Sequence, residues 1–174
     1  MTQPIFETKF WQERLGQAVA RGEVHRAIFE CHLSLWEQIT NRHKYILSNR
    51  FFGRPKDSVL DLGCGWGRLL SLMPENWEGD YLGIDLSPEF LALARAAYKD
   101  RMFLQLDLRR YGTTGMERIY DWAVLVSIRD MLLSDAGGEV WEKVEANLKK
   151  CCRRILILEY SETDQGEIIE GEVT

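Results

Sequence analysis

Val59-Leu60-Asp61-Leu62-Gly63-Cys64-Gly65-Trp66-Gly67-Arg68 passes from a short apolar run beginning at Ser58 into three glycines at alternate positions. Nearly continuous apolar runs of this length fit strands covered on both faces, as in parallel sheets. Gly63, Gly65 and Gly67 let the chain turn sharply and let a ligand approach bare backbone, although a tight turn alone would also account for them. The loop is predicted to open into a short helix from Arg68 to Met73, whose first amides favour an anionic group. Two other glycine loops are excluded by spacing. The dinucleotide fingerprint needs glycine where Arg68 stands, and the phosphate loop needs a Gly-Lys-Ser/Thr that the chain lacks here.

Four further runs follow: Asp80–Asp85, Met102–Asp107, Trp122–Val126 and Arg154–Leu158. Helical patterns lie between several of them. One runs from Ser87 to Tyr98 and opens Ser-Pro-Glu, a cap followed by proline at the first helical position; another runs from Glu139 to Cys152. This alternation predicts an α/β fold with a doubly wound, mainly parallel sheet. Ahead of it, apolar residues at helical spacing predict helices over 6–20 and 23–50. The reading is one domain: an N-terminal helical cap over 1–55, an α/β core over 56–160, and an acidic tail over 161–174 that forms a short edge strand or hangs free.

Composition bounds the rest. Of 174 residues, 45% are apolar and 28% charged, which suits a folded domain rather than a disordered chain. The four cysteines form no C-x-x-C pair, so a disulfide framework and a metal site are not expected. No long apolar span and no leader pattern is seen, and the expected location is cytoplasmic, away from membranes. Residues 1–56 carry a net +4 and residues 57–174 a net −9. A net acidic protein has no general attraction for nucleic acid, though the basic N-terminal stretch leaves a local one open.

Asp85 closes the second predicted strand 18 residues beyond Gly67, and Asp107 closes the third 22 residues later. Three acids at the carboxyl ends of strands would face the crevice in which open α/β sheets bind ligands.

These motifs resemble class I S-adenosylmethionine-dependent methyltransferases, which have a Rossmann-like fold. Val59–Arg68 looks like that family's first motif, and Tyr81–Pro88 with Leu91–Arg95 like its second strand and helix. Leu106–Leu108 and Tyr120–Val124 match its third and fourth strands. The family's usual last strands are missing, because only fourteen residues follow Tyr160. The resemblance implies S-adenosyl-L-methionine as cofactor. It also implies that the loop of Gly63, Cys64, Gly65 and Gly67 receives the methionine part, with Asp61 holding its ammonium. Asp85 would take the ribose hydroxyls, Leu86 would cover the adenine, and Asp107 and the Leu108 amide would bind the adenine edge. The backbone at Ser127 would close the site beside the sulfonium.

The acceptor is less defined. Ser127-Ile128-Arg129-Asp130 departs from the Asn/Asp-Pro-Pro-aromatic motif of many amino-methyltransferases. The expectation is a small-molecule acceptor. A nucleic acid or protein acceptor, or a non-catalytic cofactor-binding module, stands as the alternative. His43 and Tyr45 on the helical cap, with Arg129 and Asp130 after the fourth strand, are the candidate catalytic residues. A monomer or a homodimer paired through the sheet edge would satisfy the exposed fifth strand.

Overall fold

The computed structural model of the chain describes residues 33–108, 118–136, 138–161 and 163–173; of residues 33–36, 131 and 134–136 it describes the backbone only. The predicted helix over 6–20 and the first part of the one over 23–50, up to residue 32, lie outside the described residues.

The described chain begins with α1 (Leu33–Phe51), followed by β1 (Val59–Leu62), a short 3-10 turn (Arg68–Ser71), β2 (Tyr81–Asp85), α2 (Pro88–Ala97) and β3 (Met102–Gln105). Then come β4 (Tyr120–Val126), α3 (Arg129–Ala136), α4 (Glu139–Cys151), β5 (Cys152–Leu158) and β6 (Glu167–Glu170). The strands form one sheet in the order β3-β2-β1-β4-β5-β6. The first five run parallel, and β6 lies antiparallel to β5 with Ile155 opposite Ile169. This is the doubly wound, mainly parallel sheet that the strand–helix alternation predicts.

Alternate residues of each strand enter opposite cores. Leu60, Leu62, Leu125, Ile155 and Ile157 pack with Leu132 of α3 and with Trp141, Val144 and Leu148 of α4. Val59, Trp122, Val124, Leu156 and Leu158 pack on the other face with Ile46, Leu47 and Phe51 of α1. That alternation puts Asp61 on the α1 face, two residues from Val59.

Local signals explain the boundaries. Ser87 caps α2 by accepting the Phe90 amide at 3.2 Å, with Pro88 as the first helical residue. Four expectations need correction. The helix predicted over Arg68–Met73 is one 3-10 turn ending at Ser71, too short to act as a helix N-terminus. The third strand ends at Gln105, so Asp107 lies two residues beyond it. That strand is an edge with Met102 and Leu104 exposed, not one covered on both faces. The last predicted helix stops at Cys151, and Cys152 starts β5 with no loop between them. The segment after β5 does pair as an edge strand: Gly166 turns at positive φ, and its amide donates to Asp164 Oδ1 at 2.9 Å. Among the described residues no helix is long and apolar enough to cross a membrane.

Candidate functional site

The carboxyl ends of β1, β2 and β4 meet around the glycine loop. Gly63, Gly65 and Gly67 all have positive φ, at 73°, 54° and 83°. Their surroundings differ. A Cβ on Gly63 would stand 2.2 Å from Ile128 Cδ1, and one on Gly67 would stand 2.8 Å from the Tyr98 ring. A Cβ on Gly65 would meet nothing within 4 Å. The first and third glycines are thus required by packing, and the middle one presents bare backbone to open space.

Asp85 fastens the loop to the start of α2. Its Oδ2 accepts the Gly65 amide at 2.8 Å, and its Oδ1 accepts the Ser87 amide at 2.9 Å. Burial raises its pKa above the ordinary carboxylate value, only partly offset by these backbone donors. Asp61 is 1% exposed and accepts the Tyr81 hydroxyl at 2.6 Å. Burial pushes its pKa up to about 7, although the Tyr81 hydrogen bond pulls the other way. Asp107 is half-buried after β3, and Leu108 is buried in the α4-side core. Leu86 is half-buried and its carbonyl accepts from Gln105 at 3.1 Å. The Cys64 side chain is buried against Gly83, leaving its backbone to the loop.

Ser127 follows β4 at φ 53°, the one non-glycine residue with positive φ among the described residues. Its amide donates to the Leu158 carbonyl at 2.8 Å, while its buried hydroxyl has no hydrogen-bond partner among the described residues. Strained backbone and an unused buried hydroxyl side by side mark a place shaped for something other than packing.

The candidate catalytic residues separate. His43 is fully buried: Nε2 lies 2.8 Å from the Glu159 carbonyl, and Nδ1 lies 3.3 and 3.4 Å from the two terminal nitrogens of Arg68. Tyr45, two residues along α1, is 61% exposed beneath the Arg42 guanidinium. Arg129 does not pair with Asp130; it bridges Glu159 at 3.3 Å and Glu167 of β6. Asp130 is exposed.

Sequence reading missed Tyr81, Arg68, Glu159 and Asp164 as parts of this region. Tyr81 had a usable signal. It lies two residues before Gly83, which stands opposite Asp61 in the β1–β2 register, so the tyrosine shares a face with the acid.

Comparison with known proteins adds the following. Residues 59–153 match the model of a family described as "Methyltransferase domain". Trans-aconitate 2-methyltransferase of Escherichia coli O157:H7 (strain EC4115 / EHEC) is 41% identical over 56 residues, covering 32% of this chain and 22% of that protein. The same-named protein of Escherichia coli O1:K1 / APEC is 39% identical over 54 residues, or 30% of this chain and 21% of its own length. The chain thus spans about a fifth of the curated relatives it matches.

Among solved structures, an S-adenosylmethionine-dependent methyltransferase from Clostridium acetobutylicum ATCC 824 superposes with a TM-score of 0.60 at 12% identity, covering 81% of this chain and 56% of that one. The plantazolicin methyltransferase BpumL, in complex with SAH, gives 0.54 at 19% identity over 85% of this chain and 61% of its own. At such identities the structural likeness speaks for the fold.

Proposed function

The chain belongs to the methyltransferase domain family, and on that premise we propose that it binds S-adenosyl-L-methionine at the glycine loop and transfers a methyl group to a small-molecule acceptor. The observation that carries the reading is the bare backbone at Gly65, with Asp61 and Asp85 at the carboxyl ends of β1 and β2 and Asp107 two residues past β3.

The residues fit this cofactor by charge and by room. It is cationic at its ammonium and sulfonium, and acids beside open backbone suit it better than a phosphate cradle would. In this reading Asp61 would hold the ammonium and Asp85 the ribose hydroxyls. Leu86, Asp107 and the Leu108 amide would hold the adenine, and Ser127 would form the closing wall. When bound, the cofactor supplies a methyl group already activated by sulfonium, open to in-line displacement by an acceptor atom.

The work left to the chain is orientation and exclusion of water. Asp61 and Asp85 are already immobilised, by Tyr81 and by backbone amides, so little further ordering is needed on binding. His43 is not placed to take a proton from an acceptor, because both ring nitrogens are committed within the fold. Arg129, the cation that follows β4, is bridged to Glu159 and Glu167, so it is not free to hold a polyanionic acceptor. The nucleic-acid alternative therefore ranks second.

Calorimetry of the full chain with S-adenosylmethionine and with SAH tests the cofactor. A panel of small carboxylic acids, amines and phenols, with trans-aconitate among them, tests the acceptor by SAH release. Binding plus turnover on one small acceptor supports the proposal. Binding without turnover leaves a cofactor-binding module, and no binding overturns the reading.

A further inference from the structure

We infer that His43 is a positioning residue for the glycine loop: as a neutral imidazole it ties α1, the β5–β6 connection and Arg68 into one unit, and the geometry of the loop depends on its staying uncharged.

The argument begins with what each neighbour can do. The Glu159 carbonyl only accepts, so Nε2, 2.8 Å away, must carry the ring proton. Arg68 only donates, so Nδ1 at 3.3 and 3.4 Å from it must be the bare acceptor. One tautomer of the neutral ring satisfies both partners, and the imidazolium satisfies one. A second proton would turn Nδ1 into a donor facing a donor and set two cations against each other in a buried place. Burial, then the Arg68 charge, hold the pKa of His43 below its ordinary value, against the opposing pull of the Glu159 carbonyl and Asp164.

The three elements joined are those that matter to the loop. Arg68 immediately follows Gly67 and is itself buried, with its guanidinium 5.5 Å from the centre of the Tyr160 ring. On the α1 side, Arg42 donates to the Asp164 carbonyl at 2.5 Å. In the β5–β6 connection, the Asp164 carboxylate accepts the Glu159 amide at 2.9 Å and lies 3.7 Å from Nε2 of His43. The Glu159 carboxylate turns away to Arg129. Among the described residues, the charged and titratable groups around the ring are thus Arg68 from the loop, with Glu159, Tyr160 and Asp164 from the hairpin. Asp61 of β1 lies behind Arg68, whose charge lowers its pKa. Among the described residues Asp164 is the anion close enough to soften a protonated His43, and at 3.7 Å it makes no hydrogen bond to the ring.

The loop is taken as the cofactor site from the function proposed above, so the test separates the two ideas. Hydrogen exchange of the ligand-free protein is compared at pH 7.5 and pH 5.5, corrected for intrinsic exchange, for the unmodified chain and for His43→Gln. Loss of protection in α1, the glycine loop and residues 159–166 at the lower pH, absent in His43→Gln, is the expected result. An equal response of the two proteins overturns the inference. SAH affinity in the same conditions should fall further for the unmodified chain, by about 5-fold or more relative to His43→Gln. If neither protein binds SAH, the proposed function fails and the exchange result still decides the role of His43.

Imidazole nitrogen NMR of the unmodified chain needs no variant to fold. A neutral Nε2–H tautomer at pH 7.5 that gains its second proton only below pH 6, over the range in which protection is lost, supports the inference. A ring that titrates as a solvent-exposed histidine overturns it.

Discussion

The Tyr81 hydroxyl donates to Oδ2 of Asp61 at 2.6 Å, in a pair that water barely reaches. Burial raises the pKa of the acid that begins the glycine motif to about 7, into the range where pH can change its charge. A cationic ligand must find Asp61 ionised, so SAH affinity should climb as pH rises from 5.5 and level off above about 7. Below that value binding should release a proton, seen as a calorimetric enthalpy that depends on the ionisation heat of the buffer. Tyr81→Phe removes a donor to the carboxylate and should move the midpoint upward. Without ligand the sign reverses. The stability contributed by a carboxyl with a raised pKa is present below the unfolded value of about 3.9 and is lost as pH rises through about 7.

The three glycines of the loop should fail in different ways. Gly63→Ala forces a Cβ into Ile128 at positive φ and should cost roughly 1–3 kcal/mol of stability from overpacking alone. Gly65→Ala meets no atom and should cost only about 1–2 kcal/mol, the penalty of the left-handed conformation. Its methyl group, however, stands in the open space over the loop. Gly65→Ala should thus lose more SAH affinity than Gly63→Ala while losing less stability. Denaturant melts beside calorimetry check the crossing, and a parallel ranking of the two measurements would count against a ligand at Gly65.

How much of this was legible in the sequence depends on range. β1, β2 and β4 announce themselves as apolar runs because both of their faces are covered, and α2 announces itself through Ser87-Pro88. β3 was read too long because an edge strand needs no second apolar face, and its run continues into Leu106 beyond the pairing. α3 was not anticipated, since Arg129-Asp130 leads a short helix with no strong apolar period. The acids after the strands were found by spacing. The His43–Arg68–Glu159 cluster was not, because its members lie 25 and 116 residues apart and only the sheet order brings them together.

Acid stability should depend on Asp121, at the opposite end of β4 from Ser127. Its Oδ2 accepts both the amide and the hydroxyl of Ser58 at 2.8 Å, and Arg153 lies 3.4 Å from Oδ1. Burial alone would raise its pKa, but the two Ser58 donors with Arg153 and Arg154 outweigh it and the net shift is downward. Stability from such a group is present above about pH 3.9 and lost as pH falls through the depressed value. Ser58→Ala should cost roughly 1–3 kcal/mol at pH 7, because the hydroxyl that donates to Asp121 Oδ2 also accepts the Asp121 amide at 3.0 Å. The gap between the two proteins should narrow in melts run toward pH 3. A gap that is constant with pH would assign the cost to packing instead.

The last prediction concerns the sheet edge. β6 covers β5 with two half-buried isoleucines, Ile168 toward the α1-side core and Ile169 toward the α4-side core, while Glu167 and Glu170 stay exposed at its ends. Removing residues 161–174 would uncover the backbone of Ile155 to Leu158, the last four residues of β5, whose side chains are all buried. It would also take away Glu167 from Arg129 and Asp164 from the Glu159 amide. The truncated chain should lose at least about 2 kcal/mol, the scale of burying one large aliphatic side chain. Its mass by light scattering should rise with concentration, because an unpaired apolar edge recruits another strand. Circular dichroism well below the melting temperature keeps these effects apart from general unfolding. A truncated protein that stays folded, monomeric and equally stable would mean that β6 contributes neither cover nor binding energy. In that case the acids at its two ends would have no edge to guard.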